Sequence, residues 1–231
     1  MHPFQLSPEV IARAAARRGK VHPFDDLDPA RTALVVIDMQ NGFMKPGVAN
    51  ALCPMAERIV PNVNRLASGL RASGGKVFWV QNTHLPEVLD SWSVMYDTLT
   101  PEKRQARIDA MSPGTEGHQF WHALDIQPED EIVPKYRYSA FIQGSSDLEA
   151  RLRAGGYDTV LICGTVTNTC CESSARDAMM LNFRTVMVSD GNAAQNDAEH
   201  AASLTAFYLI FGDVMTSDEL LACFAANKAK A

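Results

Sequence analysis

The sequence predicts an α/β fold in which helices cover both faces of a mostly parallel, six-stranded sheet. Two observations carry that prediction. Short runs of β-branched and apolar residues recur along the chain, and stretches with helical spacing separate most of them. The runs are apolar almost throughout, so both faces of each strand must be covered, which is the pattern of parallel strands joined by crossover helices.

The runs are ALVVID at 33–38, KVFWVQ at 76–81, EIVP at 131–134, TVLIC at 159–163 and TVMVS at 185–189, with DVM at 213–215 as the sixth. Between the first two, Ile59, Val63, Leu66 and Leu70 recur at helical intervals; Leu148 and Leu152 do so before the fourth, and Ala175, Ala178 and Met179 after it. The Ala- and Arg-rich residues 1–30 read as a helical arm that packs on the body or on a neighbouring subunit, and residues 31–231 read as one domain. The stretch 86–127 mixes Pro, Gly and aromatic residues without a clean period. It is longer than an ordinary connection and is a candidate substrate-covering region.

Composition removes several function classes. The net charge is −6 and the 21 basic residues are scattered, which leaves no stripe of Lys and Arg to neutralise phosphates and argues against a nucleic-acid partner. No segment has the apolar length of a signal peptide or a membrane span, so a cytoplasmic protein without a membrane partner is expected. The five cysteines, at 53, 163, 170, 171 and 223, suit a reducing compartment, and no paired Cys and His spacing suggests structural zinc.

In open parallel sheets, ligands bind beyond the carboxyl ends of the strands, near the point where the winding reverses. Asp38 closes the first run, Asn82 and His84 follow the second, Lys135 follows the third, and the loop from Gly164 to Cys170 follows the fourth. Four runs thus deliver reactive groups to one edge. Cys170 would open a helical segment, where unpaired N–H groups and the helix dipole stabilise a thiolate and lower the thiol pKa toward neutrality. On residue type alone a small, buried, inert thiol is the commoner case, and context has to overturn it. Asp38, at the end of an apolar strand, would be partly desolvated and able to accept and return a proton, or it could be an ordinary turn residue. Lys135 could be a solvated strand-end lysine. Among the six histidines only His84 directly follows a strand, so a Cys–His arrangement stays open without a second signal.

The segments VVIDMQNGF (35–43), PKYRYSAF (134–141) and GTVTNTCCESSARDA (164–178), in that order, resemble the three signature segments of the isochorismatase-like cysteine hydrolase superfamily. The resemblance spans roughly residues 30–215 and implies a three-layer α/β/α sandwich. It implies Asp38, Lys135 and Cys170 as the catalytic triad, Cys170 rather than Cys171 being the cysteine that follows the T-N-x tripeptide. It also implies an oxyanion hole from the backbone amides of Val166 and Cys170, a cis peptide joining Thr165 to Val166, no metal or other cofactor, and a homo-oligomer, dimer or tetramer.

Departures from the superfamily's subgroups narrow the expected reaction. QNTHLPEVLDSW (81–92) lacks the Asp-x-His…His metal pattern of the nicotinamidases, and the presence of Cys170 sets the chain apart from true isochorismatases. The segments are most similar to those of ureidoacrylate amidohydrolases, with biuret, triuret and N-carbamoyl amino-acid hydrolases as near relatives. The implied activity is cleavage of a C–N bond in a small ureido, carbamoyl or linear amide compound through a thioester. A substrate with a carbamoyl end and a carboxylate asks for hydrogen-bonding groups and a cation; Asn41, Asn82, Arg137 and Tyr138 are the candidates, Arg137 by bidentate pairing unless it faces solvent. A catalytically silent binding or scaffold member of the fold is the alternative of another class. A redox role for adjacent Cys170 and Cys171 lacks the C-x-x-C spacing.

Overall fold

Side-chain alternation along a fully buried strand decides the architecture. In the computed structural model, which describes residues 1–228, β1 (Thr32–Ile37) is buried along its whole length. Leu34 and Val36 enter one core while Ala33, Val35 and Ile37 enter the other. The same division recurs in β2 (Lys76–Asn82), where Val77 and Trp79 oppose Phe78 and Val80. With β3 (Glu131–Lys135), β4 (Thr159–Thr165), β5 (Arg184–Ala193) and β6 (Asp213–Met215), the strands form one six-stranded sheet in the order β3-β2-β1-β4-β5-β6, every neighbour parallel. The sheet predicted to be mostly parallel is wholly so, and helices cover both faces in a three-layer sandwich.

In chain order the helices are α1 (Pro8–Arg18), α2 (Asn41–Met44), α3 (Met55–Ala72), α4 (Pro86–Ser91), α5 (Ser93–Asp97), α6 (Pro101–Met111), α7 (Leu148–Ala154), α8 (Glu172–Met180), α9 (Asp197–Ile210) and α10 (Ser217–Lys228). α3 buries Ile59, Val63, Leu66 and Leu70, the residues whose spacing marked it, and shares its face of the sheet with Leu220 and Phe224 of α10. α7, α8 and α9 cover the other face. Along the arm, Ser7 caps α1 at its start and Gly19, at φ +81°, ends it. Arg18 then donates to the carbonyls of Tyr208 and Gly212 and stacks on the Tyr208 ring, which fastens α1 to α9. Among the described residues, no helix is long and apolar enough to cross a membrane.

The 86–127 stretch holds three short helices, α4 to α6. α6 buries only Ala110 and Met111, so it offers no apolar period to read. Winding reverses between β1 and β4, and the crevice at their carboxyl ends is where the reactive groups gather.

Candidate active site

Asp38 follows β1 in a left-handed conformation, φ +56°, which Asp tolerates better than most residues. Its N–H donates to Val80 O (3.0 Å) and its carbonyl accepts from Gln40 N (2.8 Å), which fixes the carboxylate at the sheet edge. Lys135 ends β3, in register with Asn82 of β2. β3 lies two strands from β1, roughly 10 Å at normal strand spacing, and the length of the lysine spans that gap across β2. Its Nζ stands 2.8 Å from Asp38 Oδ2, 3.0 Å from the Arg137 carbonyl and 3.6 Å from Cys170 Sγ. Nζ thus donates to the Arg137 carbonyl and the sulfur and forms an ion pair with the carboxylate, both side chains of that pair being wholly buried.

Cys170 arrives from β4. Gly164, at φ +121°, passes so close to Ile37 that a Cβ there would strike the Ile37 backbone, and the following Thr165–Val166 peptide is cis, as expected. A single π turn, Thr167–Cys171, then carries the sulfur, and α8 begins at Glu172. The Val166 carbonyl accepts from Thr169 N (3.0 Å) and Cys171 N (3.3 Å), closing the turn. Three separated segments thus bring Asp38, Lys135 and Cys170 together.

The thiol differs from its expectation. Burial pushes Cys170 up to about 12; Lys135 pulls it down, while the Asp38 carboxylate beside it pushes it further up. The expectation of a pKa lowered toward neutrality is corrected accordingly. Cys170 sits late in a turn that opens at Thr167, only 3% exposed, and loss of water outweighs the nearby ammonium. For Lys135, burial acts to lower the pKa, but the Asp38 carboxylate and the neighbouring sulfur more than compensate, leaving it above the ordinary lysine value. The pair is ionic and the thiol is neutral at rest.

Around this centre the remaining candidates separate. Asn82 is buried, its backbone clasped by the Gln40 side chain, whose Oε1 accepts from Asn82 N (2.8 Å) while Nε2 donates to Asn82 O (3.1 Å). The Asn41 side chain donates to Glu116 O (3.0 Å), tying α2 to the 86–127 region. Arg137 turns outward: it donates to Tyr136 O and to Ser91 O and Oγ, and its guanidinium lies over Trp92. Tyr138 meets the same Trp92 edge-on at 4.9 Å. Trp92, Arg137, Tyr138 and Ser139 line a surface cavity of about 380 Å³ with Ser173 and Asp177. Cys171 is buried with its thiol toward Cys163 O, and burial pushes its pKa well up. His84 bonds Tyr96 Oη through Nδ1 (2.8 Å), and burial, followed by the charges of Arg107 and Lys135, lowers it to about 3, so it is neutral near pH 7. Among the described residues no three His, Cys, Asp or Glu side chains gather as around a metal ion.

Three residues near the site were not picked out from the sequence: Gln40, Tyr96 and Arg107. Gln40 stands two positions beyond Asp38 inside the first signature segment and was readable there; Tyr96 and Arg107 lie on helices that the sequence pattern does not reveal. Together the central groups supply a sulfur, a carboxylate able to exchange a proton with it, and a fixed cation beside both, a set suited to nucleophilic attack on a carbonyl.

Residues 32–219 match the model of the isochorismatase domain. The chain is 29% identical over 212 residues to ureidoacrylate amidohydrolase RutB of Pseudomonas savastanoi pv. phaseolicola, covering 86% of this chain and 86% of that protein. Among solved structures it is similar to a cysteine hydrolase from Pseudomonas syringae pv. phaseolicola, with TM-score 0.76 and 28% identity over 87% of this chain and 96% of the other. It is also similar to N-carbamoylsarcosine amidase from Thermoplasma acidophilum, with TM-score 0.65 and 28% identity over 81% of this chain and 97% of the other.

Proposed function

The chain belongs to the isochorismatase family of hydrolases, and from that premise we propose that it is a cysteine-dependent amidohydrolase acting on a small ureido, carbamoyl or linear amide compound, with a ureidoacrylate-like substrate foremost. The observation that carries the reading is the position of Lys135 Nζ, 2.8 Å from the Asp38 carboxylate and 3.6 Å from Cys170 Sγ in a buried site. Similarity to RutB and to N-carbamoylsarcosine amidase supports the substrate class.

In the proposed reaction Asp38 takes the thiol proton as Cys170 Sγ attacks the carbonyl carbon, because the resting thiol is too weak an acid to ionise unaided. Negative charge moves to the carbonyl oxygen, which the backbone amides of Val166 and Cys170 receive. Collapse of the tetrahedral intermediate breaks the C–N bond, and Asp38 returns the proton to the departing nitrogen, leaving a thioester. Asp38 then deprotonates a water that attacks the thioester, and the thiol recovers its proton as the acid or carbamate leaves. Lys135 stays charged throughout, facing whichever of carboxylate or sulfur is anionic. Asn41, Asn82, Arg137 and Tyr138 belong to the substrate-contacting set in this reading, and a cytoplasmic homo-oligomer is part of it.

Ammonia release from ureidoacrylate, biuret, triuret, N-carbamoyl amino acids and nicotinamide, measured with the wild type, Cys170→Ala and Cys171→Ala, tests the proposal. Turnover of a ureido or carbamoyl compound that Cys170→Ala abolishes and Cys171→Ala retains is the expected result. A preference for nicotinamide rejects the substrate class; a dead Cys171→Ala beside an active Cys170→Ala rejects the nucleophile. No turnover of any compound favours a silent binding member of the fold.

A further inference from the structure

α6 places a cation, Arg107, that no carboxylate of the described residues pairs with and whose ring neighbour is Tyr138. Arg107 is one turn before Met111, and residues four apart share a helix face. Met111 is wholly buried and its carbonyl accepts from His84 N (3.0 Å), so this face of α6 is pinned over the carboxyl end of β2. Arg107 is half-buried, its Nε is shut off from water, and among the described residues that nitrogen has no acceptor. Its guanidinium stands 5.8 Å from the centre of the Tyr138 ring.

A buried N–H donor without an acceptor needs a reason. Other partly buried arginines have their guanidinium held: Arg71 binds Asp125 and Asp130, Arg176 binds Glu172, Arg137 is held by Ser91 and Tyr136, and Arg18, whose Nε likewise has no acceptor, is held through its other nitrogens by three carbonyls. No carboxylate of the described residues pairs with Arg107, although its charge acts on His84, Tyr96, Lys135 and Cys170. The charges at the centre do not cancel. Asp38 and Lys135 neutralise one another and His84 is uncharged, so Arg107 leaves an excess of positive charge that acts on Cys170.

We propose that Arg107 anchors the anionic end of the substrate, an amide or ureido compound seated with its carbonyl carbon at Cys170 and its carboxylate on the Arg107 guanidinium. The inference rests on the amidohydrolase reading of the site and narrows the substrate to carboxylates. A guanidinium fork pairs with a carboxylate through two charge-assisted bonds, and the Tyr138 ring backs the fork as a cation–π partner. The exposed cations of α6, such as Lys103, have no such enclosure.

The test compares ureidoacrylate with its methyl ester, which keeps the ureido group and removes the charge. In ammonia-release kinetics, Arg107→Gln should raise KM for the acid about 10–100-fold, the range for losing a hydrogen bond to a charged group, and leave KM for the ester within about twofold. Arg107→Lys should fall between, and Lys103→Gln should match the wild type. An equal loss on acid and ester, or an unchanged KM for the acid, overturns the assignment. If the wild type hydrolyses neither compound, the amidohydrolase reading fails, and calorimetric binding to Cys170→Ala protein decides the anchoring separately. Binding of the acid that Cys170→Ala/Arg107→Gln loses supports it; no binding of the acid, or binding the double variant retains, overturns it.

Discussion

Replacing Lys135 by Met removes the cation and keeps nearly the same length of chain, leaving the Asp38 carboxylate buried without its counter-ion. At 2.8 Å and an effective dielectric constant of 20, the attraction between unit charges is about 6 kcal/mol. Desolvation of both ions offsets much of that, so removal of one partner should destabilise the fold by about 3–5 kcal/mol, the range for breaking a buried pair. For a chain of this size the midpoint of thermal unfolding should fall by roughly 6–20 °C, at about 2–4 °C for each kcal/mol. Asp38→Asn is the complementary change, since Asn also tolerates the left-handed backbone at φ +56°. The double variant Asp38→Asn/Lys135→Met buries no uncompensated charge and should recover most of the lost stability while remaining inactive. Urea unfolding of the four proteins, followed by circular dichroism, closes the double-mutant cycle. A loss below about 1 kcal/mol for Lys135→Met, or a double variant whose loss equals the sum of the singles, would refute the account of the ion pair.

The buried thiol makes stability fall in alkali. Folding raises the Cys170 pKa from 9.0 to about 12, so its contribution is fully present below pH 9 and is lost as pH rises toward 12; by pH 10 the loss is about 1.4 kcal/mol. Wild type should therefore lose about that much more stability than Cys170→Ala between pH 8 and pH 10, measured by urea unfolding, and parallel losses in the two proteins contradict the assignment. At Gly164, an Ala side chain meets both a positive φ and the Ile37 backbone. Gly164→Ala should cost about 2–6 kcal/mol, the sum of backbone strain and overpacking. Gly144→Ala, at φ +74° with nothing within 4 Å, should cost only about 1–2 kcal/mol; equal losses would show that close packing of β1 on β4 is not what the glycine serves.

Strands β1, β2 and β4 were legible because burial on both faces leaves a continuous apolar signature that no solvent-facing residue interrupts. The apolar run that marks β5 ends at Ser189. Its continuation, Asp190–Ala193, has the polar composition of a turn, yet Asn192 Nδ2 donates to Ile162 O (2.8 Å) and Val188 O (2.7 Å) and holds the chain extended past an irregularity in the β4–β5 pairing. α4 to α6 escaped for the opposite reason, since helices that expose most of their surface need no apolar stripe. Arg107 was hidden with them: its place above the sheet edge depends on α6 docking through Met111, which nothing in the residues 101–111 announces.

The raised Cys170 pKa runs against what a nucleophile needs and against the partial charges of a helix start. A helix start offers partial charges, whereas complete burial removes the solvation of a full one, and the larger effect decides. The site resolves the conflict through Lys135. Moving the proton from Cys170 to Asp38 creates no new net charge in the protein interior; it exchanges a carboxylate–ammonium pair for a thiolate–ammonium pair around the same nitrogen. Desolvation, which opposes a free thiolate, is then largely common to the states before and after transfer. A neutral buried thiol is thus compatible with nucleophilic chemistry on one condition, that the ammonium group stays within reach of both anions, and the ion pair with Asp38 together with hydrogen bonds to Cys170 and the Arg137 carbonyl holds it there.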